Sequence, residues 1–374
     1  MRTSRAVTTL QDIARHSDVS VSTVSRVLNG HAHIAKATRT RVLQAITELG
    51  YEPPRRSLSG STSRTIALVT LRAPDITSAA TEAGGGSGFN EHVRRGAEPV
   101  LEEAGLHPLT HHVDATLDRF TRYLDEARPS GTLFIGSEVD VNLLEALVER
   151  DHPFVIVGAH VDPFRYSSVM ADVLHGTAAA VAHLVASGRR RIAVVNGPRG
   201  LGTHDERYEG WRLGLARGDL PYDAELERST EFTAAAGFDA TADLLAAAPD
   251  LDALLYGDDF MALGGLKALA EAGKRVPTDV SVIGFYDYPV AAFTHPSLTS
   301  VSVNIPRMGI IAAQLLLAQL DDRIDPPLSI RVPTALNVRG TCLAHASGER
   351  PAERMFTNRS REALRTEGKA DDDQ

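Results

Sequence analysis

The stretch TLQDIARHSDVSVSTVSRVLNG, residues 9–30, decides how the chain is read. Leu10, Ile13 and Ala14 recur at i, i+3 and i+4, one face of a short helix. Thr9 stands before them as an N-cap, with Asp12 three residues on in the capping-box arrangement. After Ser17-Asp18 a second start follows: Ser20 can cap, and Val24, Val27 and Leu28 repeat the same spacing. Asn29-Gly30 then stops the helix. Two short helices joined by a tight turn predict a helix-turn-helix.

On the outward face of the second helix, Val21, Ser22, Ser25 and Arg26 share one side, with no acid among them. Hydroxyls and backbone amides at a helix start suit phosphate oxygens, and an arginine suits the O6/N7 edge of guanine. This pattern points to DNA; taken by spacing alone, an amphipathic hairpin with a solvated face remains the alternative. Outward from it, His31 to Lys36 read as a loop, and Val42, Ile46 and Leu49 mark a third helix ended by Gly50 and the Pro53-Pro54 pair. A core closed by three such short helices is marginal by itself.

VSVSTVSRVLNG, followed by TRTRVLQAITELGYEP, resembles the DNA-binding headpiece of the LacI/GalR family of bacterial regulators over about residues 8–54. The resemblance implies that Val21, Ser22 and Arg26 read base edges. It implies that Ser20, Thr23, Ser25 and Asn29 contact phosphate or brace the helix, and Thr9 and Arg55 join the DNA-facing set. The segment PPRRSLSGSTSRT, residues 53–65, is a linker by composition. In the family it is a hinge that wedges a leucine into the minor groove, and Leu58 matches that leucine. Here the chain departs from the family: Pro54 replaces the usual asparagine, and only Arg55 and Arg56 separate it from Ser57. A flexible tether whose arginines touch phosphate is the competing reading of the same stretch.

A net charge of −9 looks wrong for a DNA binder until it is partitioned. Residues 1–65 carry ten cations against four acids, a balance of +6, which leaves −15 for the remainder. The basic end is the electrostatic footprint, and the acidic body is repelled from phosphates. The length of 374 residues suggests two or three domains, and a hydrophobic content of 43% is ample for packed cores. The single Cys342 excludes a disulfide framework, and no apolar run is long enough to span a membrane. MRTSRAVTTLQ has no apolar h-region, so the expected location is the cytoplasm.

From Ile66 the pattern alternates. IALVTL, TLFIG, FVIVG, RIAVVNG, ALLYG and VSVIGF read as buried strands, and the runs 93–104, 143–149, 178–186, 207–215 and 261–272 as helices between them. This predicts βαβ units in two doubly wound parallel-sheet subdomains, with a ligand cleft at the strands' C-terminal ends. The resemblance continues here through RRRIAVVNGP, the R-x-x-G-W of 207–211, DDFMALG, DVSVIGF and PSLTSVSVNIPRMG, to about residue 342. It implies the periplasmic-binding-protein type I fold, with crossings between subdomains placed near residues 162, 293 and 328. The expected organisation is a headpiece over 1–53, a hinge over 54–65 and a core over 66–343. The core's N-subdomain is placed at about 66–162 and 294–328, its C-subdomain at about 163–293 and 329–343. DITSAATEAGGGSGFN, residues 75–90, reads as a mobile lid or a disordered insertion, and 344–374 as a disordered tail.

By the resemblance, Arg207 grips an effector, a task for which its fixed fork of donors is suited. A salt bridge at the helix start, beside Asp205 and Glu206, is the bland alternative. Asp258 stands where the family has asparagine, and Tyr286 where it has an aspartate, so a changed ligand is expected. Trp211 is expected to pack the cleft floor, with Phe89 and Asn90 lining the cleft from the other lobe. No P-loop, G-x-S-x-G or H-E-x-x-H is present, Gly84–Gly88 is not in dinucleotide-binding register, and His111-His112 reads as exposed. No enzyme, cofactor or metal is expected. The reading is a homodimeric transcriptional repressor that binds a pseudo-palindromic operator and answers to a small carbohydrate effector. The alternative is a regulator whose core is tuned by a partner protein. A purely periplasmic binding protein fits neither the headpiece nor the N-terminus.

Overall fold

The computed structural model describes residues 9–28, 35–49, 64–71, 85–113, 117–136, 138–324 and 327–343. The chain divides into two compact units, Met1–Arg56 and Ser57–Gln374.

The first unit holds α1 (Leu10–His16), α2 (Val21–Leu28) and α3 (Lys36–Leu49). Thr9 and Asp12 close the expected capping box: Thr9 N–H donates to Asp12 at 2.9 Å, and the Asp12 N–H returns to the Thr9 hydroxyl. Ser20 accepts from the Thr23 N–H at 3.1 Å and so starts α2. Between the helices Asp18 takes a left-handed φ of 51°, a conformation Asp tolerates better than most residues. Ile13, Ala14, Val24, Val27, Val42 and Ala45 form a small buried core, one contribution from each helix face the periodicity marked. The third helix begins at Lys36, several residues before its first apolar marker, because its exposed first turn leaves no apolar signature.

The second unit contains, in order, β1 (Thr65–Leu71), α4 (Gly85–Glu103), β2 (His107–Val113), α5 (Leu117–Ala127), β3 (Gly131–Ile135), α6 (Val141–Glu149), β4 (Phe154–Val157), β5 (Ser168–Ala171) and α7 (Val173–Ala186). It continues with β6 (Ile192–Asn196), α8 (Gly202–Arg217), β7 (Glu227–Ser229), α9 (Ala234–Ala247), β8 (Ala253–Tyr256), α10 (Asp259–Glu271) and β9 (Ser281–Tyr286). It ends with β10 (Thr299–Val303), α11 (Ile305–Leu320), β11 (Ser329–Val332) and β12 (Thr334–Asn337). The strands make two six-stranded sheets, ordered β11-β5-β4-β3-β1-β2 and β12-β10-β9-β8-β6-β7. Every described pairing is parallel except β10 with β12. In β1, Ile66 and Leu68 join one core with Val93, Ala97 and Met308, while Ala67 and Val69 join another with Phe120, Leu143 and Leu147. Alternate residues thus meet helices on both faces, which is why the strand reads as an unbroken apolar run.

Three expectations need correction. The chain passes from the first sheet to the second between β5 and α7, back between β10 and α11, and over again between β11 and β12. These crossings sit near residues 172, 304 and 333, not 162, 293 and 328. β5 (SVMA) and β10 (TSVSV) carry serine and threonine among their apolar residues, so the sequence shows no apolar run there and places each on the wrong side. Second, Gly85 to Asn90 form the first turns of α4, not a loop. Tertiary contact overrides glycine's weak helix propensity here: a Cβ on Gly88 would lie 3.2 Å from the Tyr288 ring, so the helix is seated against the second lobe. Third, His111 lies in β2 with its ring 4.1 Å from that of Tyr123, not on an open surface. Residues 75–84 and 344–374 lie outside the described part.

Candidate functional site

Two sites deserve separate construction, one in each unit. In the first unit, α2 carries the predicted reading positions. Val21 is exposed at its first turn, while Val24 and Val27 turn inward. Ser20 and Thr23 pair hydroxyl to hydroxyl at 2.8 Å, which orients both at the helix start. Ser22, Ser25 and Arg26 are residues of α2 whose side chains lie outside the description, as do Asn29, Arg55 and Leu58 altogether. Against α1, His16 holds Glu48 of α3 at 2.8 Å, with Gln44 adding a 2.9 Å bond.

In the second unit, the end of β6 and the second turn of α8 build the centre of the other site. Helix α8 lies close on α7; a Cβ on Gly210 would come 2.4 Å from the Leu174 carbonyl. That approach brings Arg207 inward until it is wholly buried. One guanidinium nitrogen, Nη1, donates to Asn196 Oδ1 at 2.8 Å and to the Thr203 carbonyl at 3.3 Å. The Phe285 ring stacks under the guanidinium carbon at 4.8 Å. Its Nε and Nη2 have no hydrogen bond of good geometry, and the Tyr286 side chain is the neighbour that interacts with the guanidinium. Burial pulls the guanidinium's pKa below its ordinary value, opposed by neighbouring Tyr286 and Asp258. Arg207 therefore does not pair with Asp205, which faces out toward His204, or with Glu206, which engages other residues. A buried guanidinium with Nε and Nη2 lacking a bond of good geometry has capacity for further oxygen acceptors.

The facing wall is aromatic and acidic. Asp258 is the N-cap of α10, accepting from the Phe260 N–H at 2.6 Å. Burial first, and then its neighbour Asp259, push its pKa well above the ordinary carboxylate range. Tyr286 and Asp287 both take left-handed φ, 87° and 57°, an arrangement that costs energy at non-glycine residues. Asp259 holds this turn in place. It accepts the Tyr288 N–H at 2.7 Å and the Ser300 hydroxyl at 2.6 Å, while Ser300 accepts the Asp287 N–H at 3.0 Å. Arg339 then closes on Asp287 at 2.7 Å. The turn presents Tyr286 stacked on Tyr288, ring centres 5.6 Å apart, and edge-on to Phe89 of α4 at 6.3 Å.

The structure thus brings Phe89, Arg207, Asp258 and Tyr286 together from both lobes. Asn90 follows Phe89 on α4 and is half-buried. Trp211 does not belong to the cleft. Its indole N–H donates to the carbonyl of Ile192, at the start of β6, whereas Arg207 meets Asn196 at the strand's end. One helical turn on α8 shifts the side chain down the strand and into the core beside Tyr208 and Tyr222. Sequence reasoning missed Asn196, Phe285 and Tyr288. An asparagine closing a buried strand before Gly197 was the available signal for the first. Among the described residues no group of His, Cys, Asp and Glu could hold a metal ion, and no helix is long and apolar enough to cross a membrane.

Comparison with known proteins places this geometry. The family described as bacterial regulatory proteins, lacI family, matches residues 9–54, and a periplasmic binding protein-like domain matches residues 181–342. The transcriptional regulator CelR of Thermobifida fusca is 33% identical over 335 residues, covering 88% of this chain and 97% of CelR. The chain belongs to the LacI family. As a LacI-family member it is a DNA-binding transcriptional regulator and not an enzyme. The regulator MalR of Streptomyces coelicolor is 32% identical over 356 residues, 92% of this chain and 98% of MalR. A solved CelR–cellobiose complex superposes with a TM-score of 0.68 at 32% identity, covering 89% of this chain and 99% of that one. The lac repressor dimer bound to operator and the anti-inducer ONPF gives 0.65 at 27% identity, covering 90% and 99%.

Proposed function

We propose that this LacI-family chain is a cytoplasmic, homodimeric repressor whose operator affinity is set by a small sugar or glycoside bound between Phe89, Arg207, Asp258 and Tyr286. The observation that carries this reading is Arg207: a fully buried guanidinium whose Nε and Nη2 have no hydrogen bond of good geometry, beside Tyr286 and a wall of stacked aromatics. Sugar hydroxyls suit the donors, and the apolar face of a pyranose suits Tyr286 and Phe89. Burial and the neighbouring Asp259 push the Asp258 carboxyl well above its ordinary range, while Arg207 opposes this. The related CelR binds cellobiose in its solved complex, and a ribose operon repressor is among the relatives. No observation favours a partner protein over a small molecule.

On the DNA side, α2 of each protomer would read one half-site, with Val21, Ser22 and Arg26 at base edges and Thr9, Ser20, Thr23, Ser25, Asn29 and Arg55 on phosphate. Leu58 would act as the minor-groove wedge. Binding-site selection from random duplexes should return a pseudo-palindrome. Arg26→Ala should weaken binding by roughly 1–3 kcal/mol and relax one base position; an unchanged base preference in that variant would exclude Arg26 from readout. For the effector, a thermal-shift panel containing cellobiose, other glycosides, ribose and polyols tests the cleft. A stabilising hit that vanishes in Arg207→Ala supports the reading, and a panel with no hit counts against a carbohydrate.

A further inference from the structure

Glu206 immediately precedes Arg207 on α8, yet its carboxylate bonds residues of the other lobe. Its Oε1 meets Nε2 of His160 at 3.0 Å and, more closely still, the Arg331 guanidinium. His160 follows β4, in the middle of the first sheet, and Arg331 lies on β11 at that sheet's edge. Helix α8 packs with the second sheet. The two partners lie 46 and 125 residues away in sequence, so no local folding requirement brings these groups together. The contact is also close-packed: a Cβ on Gly202, one turn earlier, would fall 2.1 Å from the His160 ring. Arg331 stands two residues before Pro333, where the chain crosses between lobes.

We propose that Glu206, His160 and Arg331 form a clasp that holds the two lobes of the core in this arrangement and thereby sets where Arg207 stands in the cleft. The proposal deepens the effector reading above and rests on it for its regulatory meaning, though the clasp itself is a statement about lobe position. The Glu206 carboxylate is mostly buried, with only 13% of its side chain exposed. Burial raises its pKa, but the bonds from His160 and Arg331 outweigh that and hold it below the ordinary range, so it is charged when the lobes are together. When the lobes part, Glu206 loses both partners at once. Because it is rigidly one residue from Arg207, any lobe movement that breaks the clasp also moves the effector-gripping cation. Glu206 is in this sense a positioning residue, acting on ligand binding through Arg207.

The test is a distance across the cleft in the full chain without ligand. Spin labels at Val148→Cys on α6 and Lys267→Cys on α10, both exposed, report one lobe against the other. Cys342 is buried and its thiol is pushed up to about 12, so it does not label. Labelled chain diluted into unlabelled chain isolates the intramolecular pair. Glu206→Gln and Arg331→Gln should each lengthen or broaden the distance by several ångströms, and the exchange Glu206→Arg with Arg331→Glu should restore it. Arg331 is half-exposed, so its variant folds even if Glu206→Gln does not. An unchanged, narrow distance in both single variants overturns the clasp. The distance is measured without effector, so a failed sugar panel would refute the ligand reading and leave the clasp intact, whereas unchanged distances beside a positive panel would do the reverse.

Discussion

Arg207→Met separates a ligand-gripping arginine from a structural one. The substitution keeps length and removes the charge. What the free protein loses is the charged bond to Asn196 at 2.8 Å, a longer one to the Thr203 carbonyl at 3.3 Å, the contact with Tyr286 and the stacking on Phe285 at 4.8 Å. A hydrogen bond to a charged group is worth about 1.5–3 kcal/mol, and a desolvated cation–π contact adds about 1–2 kcal/mol. Against this stand Nε and Nη2, buried without a hydrogen bond of good geometry, a buried unsatisfied donor costing about 1–3 kcal/mol. Asn196 is not orphaned by the change, since its Oδ1 still accepts the Gly197 N–H at 3.0 Å. The terms nearly cancel, and Arg207→Met should shift the ligand-free unfolding free energy by less than about 2 kcal/mol in either direction. Breaking a buried ion pair that the fold depends on would instead cost about 3–5 kcal/mol. The assay is urea unfolding of wild type and variant, followed by thermal melts with the panel sugar at 100 times its dissociation constant. Wild type should gain about 2.7 kcal/mol from the sugar, and the variant should gain nothing measurable. A ligand-free loss above about 4 kcal/mol, or a full sugar response in the variant, would refute the reasoning.

Asp259 predicts a pH signature, because burial raises its carboxyl to about 7 even though Ser300 and Tyr288 bond its charged form. The native state then holds a proton that the unfolded state releases above about pH 4. Stability from this group is complete at low pH and is lost as pH rises through about 7, with a slope of at most about 1.4 kcal/mol per pH unit. Asp259→Asn should flatten that fall between pH 5 and 7.5 in urea titrations, and parallel profiles for the two proteins would sink the assignment. Trp211→Phe should cost about 1–3 kcal/mol through the lost bond to Ile192 and the space left behind, yet leave sugar affinity within twofold by calorimetry. A tenfold weaker affinity would return Trp211 to the cleft. Ile13→Ala removes the centre of a three-helix core at a cost of about 2–5 kcal/mol. Operator binding should be lost while the sugar-induced thermal shift persists, and retained operator binding would show that the headpiece core is sturdier than its size suggests.

What could be read from sequence was whatever leaves a local, periodic trace. Thr9 and Asp12 marked a helix start because a capping box is closed within four residues. Ile13, Val24 and Val27 marked buried faces because helical spacing puts them on one side. Six strands, β1, β3, β4, β6, β8 and β9, announced themselves as apolar runs because helices cover both faces, as at β3 and β4. Arg207 could be singled out by its neighbourhood in a familiar motif, but its isolation could not, since Asn196, Phe285 and Asp258 reach it from three separate elements.

The tertiary structure alone decided the rest. β5 (SVMA) and β10 (TSVSV) interrupt their apolar residues with serine and threonine, so no apolar run marks them, and their pairing in the folded chain is what fixes the crossings. The glycine-rich start of α4 has no intrinsic reason to be helical, and Gly88 is seated there against the Tyr288 ring. Trp211 left the cleft because a turn of helix measures distance along β6, which no spacing rule records. The strained turn at Tyr286 is held by Asp259 and Ser300, and the clasp at Glu206 by residues 46 and 125 positions away. Periodicity reports which face of an element turns inward; which side chains meet there depends on how distant segments pack, and that is fixed only when the whole chain has folded.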